Sequence, residues 1–160
     1  MALSIERATE RDLPAIVRLV RQLAEYEKLA HVMVSSEEDF RRALFGPQRN
    51  VEALLAFSGD VPVGFALYFY NFSTFLGKRG IYLEDLFVEP EHRGQGIGKA
   101  LLQRLASIAQ DQYCGRMEWS VLTWNQPSID FYHGLGAVTL DDWRTFRLTG
   151  AALERLAERG

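Results

Sequence analysis

The feature that most restricts how this chain can fold is a glycine-rich segment between an apolar strand and an amphipathic helix. The segment is Arg93-Gly-Gln-Gly-Ile-Gly98, and residues 81–88 before it form a β-like run. After it, Ile97, Leu101 and Leu105 recur at helical spacing. Glycines let a backbone approach phosphate oxygens closely, and the amides at a helix N-terminus carry partial positive charge. The segment therefore predicts an α/β domain that binds a phosphorylated ligand.

The spacing of the glycines excludes the two common nucleotide-binding loops. A Walker loop needs Ser or Thr after Gly-Lys, whereas Gly98-Lys99 is followed by Ala100. A dinucleotide fingerprint that begins at Gly94 requires glycine where the chain has Lys99. What remains is an Arg-x-x-Gly-x-Gly motif that opens a helix.

The rest of the chain predicts one domain of α/β (α+β) class over residues 1–160. A length of 160 residues suits a single core, and no repeat or linker interrupts it. The apolar periodicities predict the element order β-α-α-β-β-β-α-β-α-β. Helices are expected near residues 12–28, from a Ser35–Glu38 capping box to about Phe45, near 97–108, 127–134 and around Leu153; strands are expected near 3–8, 51–57, 61–72, 81–88, 117–122 and 143–148.

Charge and cysteine content limit the cellular compartments and the partners that we expect for this chain. Eighteen Lys and Arg residues against 21 Asp and Glu residues give a net charge of −3, which argues against a nucleic-acid partner. Cys114 is the only cysteine, so no disulfide forms within the chain, and the three histidines lack metal-ligand spacing. The sequence has neither a signal-peptide pattern nor an apolar run that spans a membrane. We therefore expect a cytoplasmic protein without a metal or a membrane partner.

Carboxylates at unusual positions point to a cationic substrate. Glu84 and Asp85 interrupt an apolar strand, where unpaired charge is costly to bury. Adjacent strand residues face opposite sides unless a bulge intervenes, so the two are expected to have different roles, with a structural salt bridge as the alternative for each. Glu27 continues the apolar face of the first helix, and Asp141 can add to an acidic rim.

Several segments together resemble the GNAT N-acetyltransferases. Leu86-Phe-Val88 followed by Pro90-Glu-His-Arg-Gly-Gln-Gly-Ile-Gly-Lys99 resembles the acyl-coenzyme-A signature of that family. The segments 5–9 with 23–27, 82–88 and 124–132 resemble its diamine (spermidine/spermine) and thialysine acetyltransferase branch more specifically.

This resemblance implies a fold, a cosubstrate and an assembly. The fold is a mixed sheet of about six to seven strands, flanked by four to five helices, whose fourth and fifth strands splay apart around acetyl-coenzyme A. Family members are commonly homodimers. The resemblance assigns the pantetheine arm to the amides of Leu86, Phe87 and Val88, the pyrophosphate to Arg93, Gly94, Gln95, Gly96, Ile97, Gly98 and Lys99, and further cofactor contacts to Asn125, Pro127 and Ser128.

The expected reaction is acetyl transfer to a primary amine of a small cation such as a polyamine or diamine. Glu84, directly or through a water, is the candidate base. The resemblance makes Tyr132 the general acid, and Tyr26, Glu27, Glu84 and Asp141 are the candidate substrate-binding residues. Two alternatives stay open: another amine, such as thialysine, ornithine, an aminoglycoside or a protein amine, and a non-catalytic module that binds acyl-coenzyme A.

Overall fold

A computed structural model describes residues 2–158, which form two compact units that divide between Ser120 and Val121. The first unit contains a sheet and three helices, and the second contains two helices. The elements of the first unit are β1 (Leu3–Arg7), α1 (Leu13–Tyr26), α2 (Glu37–Phe45), β2 (Glu52–Ser58), β3 (Val61–Ser73), β4 (Lys78–Val88), α3 (Ile97–Asp111) and β5 (Met117–Glu118); those of the second are α4 (Gln126–Gly134) and α5 (Gly150–Ala157).

The sheet is mixed, as expected, and its strands follow the order β1-β2-β3-β4-β5. The first four strands pair antiparallel, whereas β5 lies parallel to β4. This parallel pairing comprises only Ile81 with Met117 and Tyr82 with Glu118. Because β4 continues to Val88, most of its outer edge extends past β5, which agrees with the expected separation of the fourth and fifth strands.

One face of the sheet is covered by α1 and α2. The buried residues Leu13, Ile16, Leu19 and Leu23 follow the helical repeat of α1. They pack in one core cluster with sheet residues that include Leu55, Phe65, Leu67 and Phe87. We call this side of the sheet the α1 face.

The start of α2 differs from the expectation by one residue. The capping box is formed by Ser36 and Asp39, not by Ser35 and Glu38. Ser36 N donates to Asp39 Oδ2 at 2.8 Å, and Asp39 N donates to Ser36 Oγ at 3.3 Å. The sequence contains two overlapping Ser-x-x-acid frames, and the fold uses the second, although only the first has the usual Glu at its last position.

The expected strand at 143–148 is wrong, and so is a count of six to seven strands. The described residues form a five-stranded sheet, and the strand expected at 117–122 is limited to Met117–Glu118. Trp143 is 77% exposed and Phe146 is 92% exposed. A segment without a neighbouring strand has no ladder for its backbone groups, so alternating apolar residues alone do not make it a strand.

Candidate functional site

The glycine loop has the backbone conformation that an anion site requires. Gly94 and Gly96 have φ of 79° and 80°, in the left-handed region that glycine adopts without a steric cost. Gly96 is the N-cap of α3, whose first turn contains no acidic residue. A Cβ added at either glycine would meet nothing within 4 Å, so the space beside the loop is open. The loop and the positive end of the α3 dipole therefore fit a phosphate group.

The side chain of Arg93 connects this loop to the rest of the first unit. Its Nε donates to the Val88 carbonyl at 2.9 Å. Its guanidinium lies 4.7 Å from the Tyr26 ring centroid and 5.3 Å from that of Phe87. Such stacking stabilises a guanidinium over an aromatic ring. Arg93 thus holds the loop against β4 and the end of α1, and the Tyr26 ring is part of that contact.

A β-bulge in β4 places Glu84 outside the regular ladder. Leu67 pairs with Asp85, but the next residue of β3, Tyr68, pairs with Leu83. Glu84 is therefore the extra residue of the bulge, and it is exposed. Glu84 and Asp85 were expected to face opposite sides only in a strand without a bulge, and β4 has a bulge at this point.

Three carboxylates beside this bulge are near enough for their charges to influence one another. Asp85 shares the α1 face with Leu67, and Glu27 is the C-cap of α1. Burial raises the pKa of Asp85 to about 7, and the negative charges of Glu84 and Glu27 add to this effect. Burial also raises the pKa of Glu27. A carboxyl whose pKa lies near neutrality can exchange a proton with a substrate at physiological pH.

The second unit carries the other predicted site residues. Asn125 is buried at 7% exposure and caps α4, where its Oδ1 accepts from the amide of Ser128 at 3.4 Å. Tyr132 lies half-buried in α4, with its ring centroid 5.6 Å from that of Phe131. Asp141 is exposed, outside regular structure. Asn125, Ser128 and Tyr132 are thus brought onto one short helix or its cap, whereas Asp141 is not.

Four polar or aromatic residues on the α1 face were not predicted as site residues. They are Phe69, Tyr82, Arg116 and Glu118, and they occupy the sheet beyond the carboxylates. A signal was present in the sequence, because polar and apolar residues alternate from Arg116 to Ser120 as in a half-buried strand. Which face those polar residues share depends on strand pairing, which the alternation does not specify.

Within residues 2–158, the structure contains no group of three side chains arranged to hold a metal ion. In the same part of the chain, every helix is too short or too polar to cross a membrane.

Comparison with known proteins identifies relatives over nearly the whole chain. Residues 17–137 match the family described as the acetyltransferase (GNAT) family. The chain is 41% identical to the thialysine N-epsilon-acetyltransferase of Bos taurus over 164 residues, with 96% of each covered. It is 31% identical to an L-ornithine N5-acetyltransferase of Arabidopsis thaliana, with 95% of this chain and 86% of that protein covered. Among solved structures, an integron cassette protein of V. cholerae matches at a TM-score of 0.84 and 29% identity, with 99% of each chain covered.

Proposed function

The chain belongs to the GNAT acetyltransferase family, and on that premise we propose how its residues carry out the reaction. It is an N-acetyltransferase that uses acetyl-coenzyme A and acts on a small amine. We propose that the acceptor is a primary amine of a small cation, either a polyamine or diamine or a basic amino acid. The observation that carries this proposal is the group of carboxylates at Glu27, Glu84 and Asp85.

Backbone amides are proposed to hold the cosubstrate. Gly94, Gly96 and the first turn of α3 suit the pyrophosphate, because the space beside the two glycines is open and the helix end is positive. The outer edge of β4 at Leu86–Val88 suits the pantetheine arm, because β5 pairs with β4 only at Ile81 and Tyr82. Asn125, Pro127 and Ser128 are proposed to contribute further contacts. When bound, the cosubstrate supplies the acetyl thioester, and the protein positions it.

The carboxylates are proposed to remove the proton that blocks the amine. An alkylammonium with a pKa of about 10.4 is neutral only once in a few thousand molecules at pH 7. Glu84 is exposed at the bulge and takes the proton directly or through a water. Asp85, whose pKa is raised to about 7, is the carboxyl of this group that can hold or release a proton near neutral pH.

Two further groups are proposed to act on the thioester. A β4 amide at Leu86 or Phe87 polarises its carbonyl. The hydroxyl of Tyr132 donates a proton to the departing thiolate. The match of residues 17–137 to the family includes both β4 and α4 and supports treating both units as parts of one acetyltransferase domain.

The test is an amine panel with release of free thiol as the readout. The panel contains diamines, polyamines, basic amino acids, an aminoglycoside and a peptide N-terminus. We expect acetylation of at least one small cation, and Tyr132→Phe should lower kcat roughly ten- to a thousand-fold with little change in cofactor affinity. Tyr113→Phe, which changes an exposed tyrosine of the first unit, is the matched control. An unchanged kcat in Tyr132→Phe would show that Tyr132 is not the general acid. If the wild-type protein acetylates no amine of the panel, the proposed function is wrong.

We further propose that the protein is a cytoplasmic homodimer. Val138, Trp143 and Phe146 are 80%, 77% and 92% exposed, an amount of apolar surface that favours association. The single, free cysteine favours a reducing compartment. The small negative net charge argues against nucleic-acid partners.

A further inference from the structure

Beyond the carboxylates, the α1 face of the sheet carries a row of side chains from three strands. Phe69 of β3 pairs with Tyr82 of β4, and Tyr82 pairs with Glu118 of β5. Cross-strand partners point to the same side of a sheet. This side is the α1 face, because Phe69 lies two residues after Leu67 on β3. The row therefore lies one step along the same face from Leu67 and Asp85.

Two aromatic rings form the middle of this row. The ring centroids of Phe69 and Tyr82 are 5.2 Å apart, and both side chains are half-buried. The Tyr82 hydroxyl lies 3.1 Å from Ser120 Oγ, which fixes the tilt of its ring. Partly exposed aromatic faces of this kind attract both methylene chains and cations.

The row ends in an ion pair at the beginning of β5. Arg116 Nε lies 3.2 Å from Glu118 Oε1, and the two side chains are 46% and 28% exposed. Arg116 directly precedes β5 and lies on the same face, because its Cγ would be 3.5 Å from a Cβ at Gly80, which stands two residues before Tyr82 on β4. Among residues 2–158, no second carboxylate pairs with Arg116. A positive and a negative group are thus presented side by side to solvent.

Glycine at position 80 leaves room for this arrangement. A Cβ at Gly80 would lie 2.7 Å from Asn71 Oδ1 and 3.5 Å from Arg116 Cγ. Its absence lets Asn71 and Arg116 approach each other across β4. The Arg116 side chain therefore lies over β4 at Gly80, on the side of the sheet that a Cβ there would face.

We propose that Arg116 and Glu118, with the Phe69–Tyr82 ring pair, form the subsite for the non-reacting end of the acceptor, and that this end is an α-amino acid group. The inference rests on the proposed function, since it extends the site in which the amine reacts. Arg116 pairs with the α-carboxylate, Glu118 with the α-ammonium, and the two rings contact the methylene chain. An arginine beside a carboxylate complements a zwitterion, whereas a diamine has no group for Arg116 to bind.

The spacing suits a lysine-length substrate. One step along a strand face is about 7 Å and one strand spacing is about 5 Å, so the carboxylates and Glu118 are about 8–9 Å apart at the backbone. The two nitrogens of an extended lysine-length chain are about six bonds, or about 7.5 Å, apart. This length is close to the separation of the two carboxylate positions, so such a chain spans the site.

The experiment compares amino acids with diamines of the same chain length. Steady-state kinetics are measured for lysine, thialysine and ornithine, and for cadaverine and putrescine, which lack only the α-carboxylate of lysine and ornithine. We expect kcat/KM of the wild-type protein to be at least tenfold higher for the amino acid of each pair. Lysine methyl ester, whose carboxylate is masked, should behave like cadaverine, and this comparison requires no variant.

Variants then assign the effect to residues. Arg116→Gln should raise KM for the amino acids tenfold or more, with kcat and the diamine KM nearly unchanged. Glu118→Gln should raise KM for both classes, because both carry the second ammonium. Arg104→Gln, which changes an exposed arginine on α3, is the control and should leave all constants unchanged.

Two results would overturn the inference. One is a wild-type protein that accepts diamines as well as or better than the matched amino acids or the ester. The other is an Arg116→Gln protein with the same fold change in KM for both classes. Either result leaves the acetyltransferase function intact, whereas a wild-type protein that acetylates no amine would overturn that function first.

Discussion

At the scale of single residues, Asp85 shows how a site group opposes folding. Its pKa is raised from 3.8 to about 7 by burial and by the charges of Glu84 and Glu27. Between these values the folded protein keeps a proton that the unfolded chain has lost. The stability that this group contributes is therefore full below about pH 4 and falls as the pH rises through about 7.

Replacing Asp85 with asparagine should reverse that loss. An asparagine at this position cannot ionise, so the Tm of the Asp85→Asn variant should exceed that of the wild-type protein by roughly 5–10 °C at pH 8. At pH 5 the difference should be much smaller. Differential scanning calorimetry at both values measures it, with Asp111→Asn, an exposed carboxylate at the end of α3, as the control. An equal difference at both pH values would contradict the assigned cause.

Single residues also mark where sequence reasoning stops. The sequence does not tell which face of the sheet Glu84 and Asp85 occupy. Strand alternation cannot reveal a bulge, because the bulge depends on pairing with the neighbouring strand. Arg116 and Glu118 were missed because their relation to Phe69 and Tyr82 exists only after β5 pairs with β4. Local motifs identified the carboxylates, and non-local pairing determines what surrounds them.

At the scale of elements, the glycine loop is the part most fully specified by sequence. Its strand, loop and helix were all predicted, because glycine spacing and helical periodicity are local signals. The segment 143–148 shows the opposite case, since an apolar alternation forms a strand only where a neighbouring strand supplies its hydrogen bonds.

Backbone strain in that loop should weaken the cosubstrate site selectively. Gly96→Ala forces a side chain into a φ of 80°, at a cost of about 1–2 kcal/mol. We expect KM for acetyl-coenzyme A to rise about tenfold while KM for the amine changes little. Gly77→Ala imposes the same kind of strain, at φ of 64°, outside the loop and is the matched control. If both variants raise the cosubstrate KM equally, the loop has no special role.

At the scale of the whole molecule, the proposed homodimer assigns the exposed apolar residues of the second unit to its interface. Light scattering should give a mass about twice that of the 18.2 kDa chain. Phe146→Ser removes a ring that is 92% exposed and should shift the mass toward the monomer. Tyr113→Ser, which removes an 83% exposed ring in the first unit, should leave the mass unchanged. A monomeric wild-type protein would exclude the homodimer.

The bulge at Glu84 has a consequence for how such a site can arise. An extra residue in an ordinary strand would turn every later side chain to the opposite face. Here Asp85 and Phe87 still face the same side as their partners Leu67 and Phe65, because the bulge absorbs the added residue. A carboxylate can therefore enter or leave the middle of β4 by a one-codon insertion or deletion while the core pattern on either side stays in register.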